Sequence, residues 1–159
     1  MINPDLIREI RKQFRLDWLG VHGIAHFQRV RDNGLRLAEE TKAKTTVVEL
    51  FAFLHDARRH NEYEDDLHGK RASKMVRHFQ GVFFDLPPDD LELLAYACEF
   101  HTSGMREGDV TVLTCWDADR LDLGRVGRKP IARKLCTEPA KKPEMIEWAY
   151  RRSLSETIG

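Results

Sequence analysis

Four side chains in this 159-residue chain have the chemistry to hold a divalent cation: His26, the adjacent pair His55 and Asp56, and Asp119. His26 stands in HGIAHFQRV, the pair closes the apolar run LFAFLHDARR, and Asp119 lies in WDADRLD. A mixed set of imidazoles and carboxylates suits manganese, iron, zinc, nickel or cobalt, and magnesium less well. All four fall where a buried surface is expected. A buried carboxylate without a partner is costly and tends to neutralise. Histidines, or an arginine such as Arg29 or Arg120, can compensate it. A divalent cation would satisfy several of these groups together.

The elements that must position them read as helices. Residues three, four and seven apart share a helical face. His55 shares one with Val48 and Phe51, His26 with Val30 and Leu37, and His101 follows Leu91, Leu94 and Cys98. Asp119 follows Val112, Cys115 and Trp116, but Asp117 aligns equally well with Val110, Leu113 and Leu121. Periodicity alone does not choose between these two aspartates. His55 and Asp56 diverge by about 100° around a helix, so one ion can join them only from between their faces.

The spacing predicts a first helix from Pro4 to about Asp17, broken by Gly20 and Gly23, and a second from Ile24 to Lys42. A third starts at Thr45 or Thr46, with Glu49 completing a capping box. The polar stretch RRHNEYEDD reads as a loop. A fourth helix begins near His68, capped by Asp65 or Asp66, and a fifth at Asp89 or Asp90. A sixth covers about Asp109 to Leu123. The glycine- and base-rich GRVGRKP follows as a loop, and a last helix starts near Glu144. Alternation of the strand type is absent, since VTVL fits the sixth helix. The fold class expected is all-α, a single-domain helical bundle over residues 1–159.

Bulk composition narrows the function classes. Lysine plus arginine equals aspartate plus glutamate, at 26 each, which argues against a general nucleic-acid binder. No apolar stretch approaches the ~18 residues of a membrane span, and the start lacks a signal pattern. Cys98, Cys115 and Cys136 form no CxxC pair, so a zinc ribbon or finger is not expected. Free thiols without a signal point to a reducing cytoplasm.

With these residues in view, the chain resembles the HD-domain superfamily of metal-dependent phosphohydrolases, an all-helical family with the ordered signature H…HD…D. His26 within HFQRV matches the family's H-x-x-R-V, His55 and Asp56 match the pair within FLHD, and the ADRL stretch favours Asp119 over Asp117. The resemblance covers roughly residues 22–125. It implies one divalent metal on His26, His55, Asp56 and Asp119. His68 and His101 occupy places where some relatives hold a second metal; the alternatives are a solvated cap for His68 and a core histidine for His101. Several nucleotidases of the superfamily place a glutamate just after the pair. Here Ala57, Arg58, Arg59 and His60 stand there, and Glu62, Asp65 or Asp66 would have to substitute.

The resemblance further implies attack of an activated water on phosphorus, with Asp56 and Arg58 as catalytic residues. A divalent ion lowers the pKa of water toward neutrality and polarises a phosphoryl oxygen. Arginine fits phosphate in bidentate fashion. Candidates to bind substrate are Arg29, Arg58, Arg59, Lys70 and Arg71, with Arg128 and Lys129 in the glycine-bearing loop. The expected partner is a nucleotide or another small phosphate ester, not a membrane or an extended nucleic acid. Two further readings are a di-iron oxygenase of the HD type, which needs both His68 and His101 as ligands, and a non-catalytic binding module that keeps the fold.

Overall fold

Pro4 opens the first helix at a position where its missing N–H costs nothing, and Asn3 accepts the Asp5 N–H as its cap. The computed structural model describes residues 2–155 and continues this way, with eight α-helices, two short 3-10 turns and no strand among the described residues. The helices are α1 (Pro4–Gln13), α2 (Ile24–Thr41), α3 (Thr45–Leu54), α4 (His68–Phe79), α5 (Pro88–Glu99), α6 (Val110–Arg120), α7 (Glu138–Lys141) and α8 (Pro143–Ser155). The all-α expectation holds. No helix among the described residues is long and apolar enough to cross a membrane.

Several boundaries differ from the periodicity reading, each for a local reason. Helix α1 stops at Gln13, and Phe14 turns extended so that it packs edge-on against Trp18 and Phe27. The capping box at Thr46 and Glu49 does not form. Lys44 is the cap residue, Thr111 of α6 accepts its N–H, and Glu49 pairs with Arg31 of α2. Asp65 does not cap α4 either, because its carboxylate takes the His60 N–H and the Arg71 guanidinium. Tertiary partners outcompete a local cap wherever they satisfy the same groups.

Helix α3 is buried on nearly every side and lies between α2, α5 and α6. Phe27, Val30, Val48, Phe51, Leu54, Leu94, Cys98 and Trp116 form the main core around it. A smaller cluster joins Leu37 and Leu121 to Leu135, Ala140, Met145, Ile146 and Ala149, and so holds α7 and α8 against α2 and α6. Two close approaches set the helix positions. A Cβ on Gly34 would stand 2.3 Å from a Val48 methyl, and one on Gly69 would stand 2.5 Å from the Glu99 carbonyl oxygen. Only glycine lets α2 meet α3, and α4 meet the end of α5, at these distances.

Candidate metal centre

The candidate ligands come from helix ends. His26 lies in the first turn of α2, His55 caps the C-terminus of α3 with Asp56 next, and His68 opens α4. His101 sits just past the end of α5, and Asp119 is in the last turn of α6. Two of the histidines turn Nδ1 back onto carbonyls in the last turn of the helix before them. His55 Nδ1 lies 3.0 Å from the Phe51 carbonyl, and His101 Nδ1 lies 2.7 Å from that of Cys98. His68 Nδ1 meets the Asp65 carbonyl, and His26 Nδ1 lies 2.7 Å from Asp122 Oδ2. Every Nδ1 thus faces an oxygen acceptor, which turns each Nε2 toward the centre.

Those four Nε2 atoms converge on Asp56. His26 and His55 lie 3.2 and 3.4 Å from its Oδ2, and His68 and His101 lie 3.2 and 3.3 Å from its Oδ1. The nitrogens also face one another, at 3.1 Å for His26 and His55 and 2.9 Å for His68 and His101. Asp119 Oδ1 completes the first group, 3.4 and 3.3 Å from His26 and His55. His26, His55, Asp56 and Asp119 therefore form one ligand group, and Asp56, His68 and His101 a second. The carboxylate of Asp56 belongs to both.

The donor set fits a divalent cation on a physical test. Asp119 Oδ1 is buried and accepts no hydrogen bond among the described residues. Two lone pairs pointed at each other across about 3 Å repel unless a proton or a cation lies between them. Burial alone would lower the His55 pKa, but the Asp56 and Asp119 carboxylates outweigh it and hold the ring up to about 10. Burial and Arg125 lower His26, yet Asp119, Asp122 and Asp56 raise it on balance. Burial raises Asp56 and Asp119, and the facing histidines more than reverse this, so both carboxylates are held well below their ordinary range. The pocket holds positive charge strongly, as protons or as metal.

Asp122 has no place in the sequence reading and matters here. It is fully buried, takes the His26 Nδ1 proton on one oxygen and the Arg29 Nε–H at 2.8 Å on the other. Its signal was present in WDADRLD, three residues beyond Asp119, but a buried carboxylate serving another ligand has no periodicity of its own. Arg125 was likewise missed; it donates to the Asp122 carbonyl and lies 3.9 Å from Asp119 Oδ1. Asp117, the alternative to Asp119, points elsewhere. Its carboxylate accepts the N–H groups of Cys136 and Thr137 and the Thr137 hydroxyl.

The predicted cations divide among several places. Arg29 is buried on Asp122, and Arg59 is buried with its Nε 3.2 Å from Asp56 Oδ1. Arg58 donates to Gln13 and lines a separate groove with Arg71, Lys74 and His78. Arg71 donates to the Arg58 carbonyl, and Lys70 is exposed on α4. A different cleft, of ≈ 860 Å³, reaches His101 and Asp119, one residue from each ligand group. Arg128 and Lys129 line it. Glu62 lies 3.3 Å from His22, which burial drives down to about 3. The thiols of Cys98 and Cys115 are buried and that of Cys136 is half-buried, all free.

Fold and site together define a class: an all-helical protein whose helix ends converge on a buried histidine–aspartate cradle. Neither a protein-family model nor a curated protein matches the sequence. Among solved structures, the chain is similar to a predicted HD superfamily hydrolase from an uncultured Thermotogales bacterium. The TM-score is 0.69 and the identity 23%, over 92% of this chain and 84% of that one. The chain shares that protein's fold.

Proposed function

We propose that the chain belongs to the HD superfamily as a metal-dependent phosphohydrolase acting on a nucleotide or another small phosphate ester. The observation that carries this reading is the convergence of four imidazole Nε2 atoms on the two oxygens of Asp56. His26, His55, Asp56 and Asp119 would hold one divalent cation, and Asp56, His68 and His101 a second. Such ions make water nucleophilic near neutral pH and draw charge from phosphoryl oxygens.

The chain's own residues do the positioning. Asp122 and the helix-end carbonyls keep each Nδ1 protonated and each Nε2 directed inward. Arg59 donates to Asp56 Oδ1, the oxygen that also faces His68 and His101, and so helps hold the carboxylate in place. The cleft cations meet the phosphoryl oxygens and turn the phosphorus toward the cradle, and such positioning supplies most of the catalysis in phosphoryl transfer. In the net reaction water's oxygen bonds to phosphorus, the bond from phosphorus to the leaving oxygen breaks, and that oxygen takes a proton.

Asp56→Ala tests the reading directly. It should abolish metal binding and phosphate release with the helical circular dichroism retained. Full turnover in that variant would sink the proposed centre. The nearness of both His68 and His101 to Asp56 also suits a di-iron oxygenase. Two irons per chain by elemental analysis, with no phosphate released from any nucleotide or sugar phosphate under added manganese, would favour it.

A further inference from the structure

We infer that the substrate carries several linked phosphates, not a single phosphate ester, and that Arg128, Arg133 and Lys134 read the groups beyond the one at the cradle. The inference rests on the phosphohydrolase reading for what the cleft serves, but its test is a binding measurement.

Arg106, Arg120, Arg128, Lys129, Arg133 and Lys134 line the cleft against one carboxylate, Asp119. The whole chain balances 26 cationic against 26 anionic side chains, so this concentration reflects the exclusion of acids from one place. Elsewhere surface cations meet acids: Arg77 pairs with Glu92 at 2.7 Å, Lys142 with Glu40 at 2.9 Å and Arg151 with Glu147 at 3.2 Å. Among the described residues, Lys129 alone of the cleft cations has an acidic partner outside it, Glu147 at 2.8 Å.

Two of the remaining cations support the walls. Arg120 donates to the Met105 carbonyl and lies over the Trp116 ring, and Arg106 donates to the Arg133 carbonyl. Arg128, Arg133 and Lys134 are exposed and have no carboxylate partner among the described residues. They are also held in register. The Arg128 N–H bonds the Leu123 carbonyl, the Lys134 N–H bonds the Ile131 carbonyl, and Asp117 clamps Cys136 and Thr137 just beyond. A cleft walled by like charges focuses their field and attracts a multiply charged anion more than a singly charged one.

Size points the same way. Small-molecule sites run from about 300 to 1,000 Å³, and ≈ 860 Å³ is far more than a lone phosphate fills. Leu123, Pro130 and Ile131 offer apolar surface in the same cleft for an uncharged remainder such as a ring.

The test compares binding of inorganic tripolyphosphate and orthophosphate to the purified full-length protein by calorimetry, with and without added magnesium. Tripolyphosphate should bind at least ~10-fold more tightly than orthophosphate. The combined variant Arg128→Ala/Arg133→Ala/Lys134→Ala should weaken tripolyphosphate by about 100-fold or more, at roughly tenfold per lost charge-assisted contact, and move orthophosphate little. Thermal melting establishes that the variant is folded. Lys74→Ala/His78→Ala, in the separate groove, should change neither. Equal affinity for the two anions, or an unaffected triple variant, would overturn the inference. So would single-stranded oligonucleotides that bind more tightly as they lengthen, which would assign the cleft to nucleic acid. Tripolyphosphate binding lost in the variant, with no phosphate released from any substrate, would support this inference and sink the hydrolase reading. Phosphate release from monoesters with equal anion affinities would do the reverse.

Discussion

Asp56 divides its two oxygens between two pairs of histidines, and the rest of the centre follows from keeping those histidines in one tautomer. Residues that orient a ligand tune its affinity by about 10–100-fold. Asp122→Asn should therefore weaken manganese binding by roughly that factor, because an amide cannot accept the His26 proton as a carboxylate does. Unchanged affinity by calorimetric titration would remove Asp122 from the centre. The histidines also set a pH dependence. The Asp56 and Asp119 carboxylates hold the His55 pKa up to about 10, so a cation that binds here must displace the ring's proton. Metal affinity should rise with pH across the neutral range and fall on acidification, with proton release seen as a dependence of binding heat on the buffer. A flat affinity between about pH 6 and 9 would contradict this linkage. His26, His55, Asp56 and Asp119 were legible as a motif in the sequence. Asp122 was not, since its partner His26 is 96 residues away and nothing local marks the pairing.

Helix ends, more than helix faces, build the site. Periodicity located the helices because core-facing residues recur along each one. It did not locate the centre, because the converging residues sit where regular structure stops and histidine rings turn back onto main-chain carbonyls. The close packing of α4 on the end of α5 is one place to test this. Gly69→Ala puts a Cβ 2.5 Å from the Glu99 carbonyl oxygen. Helix α4 must then shift, carrying His68 away from His101. We expect a loss of about 1–3 kcal/mol in urea unfolding and a weaker second metal equivalent with the first retained. Equal stability, with both equivalents intact, would show that the contact yields without cost. The loop clamp at Asp117 belongs to the same scale. Asp117→Ala leaves the buried Thr137 N–H and the Cys136 N–H without their acceptor, at a cost of about 1–3 kcal/mol. It should also loosen the cleft wall. An unchanged thermal midpoint would mean that water replaces the carboxylate fully.

At the scale of the whole molecule, a neutral chain carries a strongly one-sided cleft beside a cation-holding cradle. Exposed charges interact through solvent and are screened over about 10 Å at 0.1 M salt. Tripolyphosphate affinity should drop steeply from low salt to about 0.5 M, whereas metal affinity at the buried cradle should change far less. Similar salt dependence for both would place the recognition of the polyanion inside the cradle and not along the loop. The sequence by itself determined the all-helical class and the candidate residues in their order, because helical periodicity and an adjacent histidine–aspartate pair are local properties of a chain. It also supplied Arg128 and Lys129 as loop cations. Tertiary structure alone decided that Arg58 and Arg71 face a separate groove, that Asp122 holds His26, and that residues 128–135 form a wall of the cleft. The physical reason is the same in each case. These outcomes depend on how irregular segments pass over helix ends, and there no repeating pattern ties a residue's place in the chain to its neighbours in space.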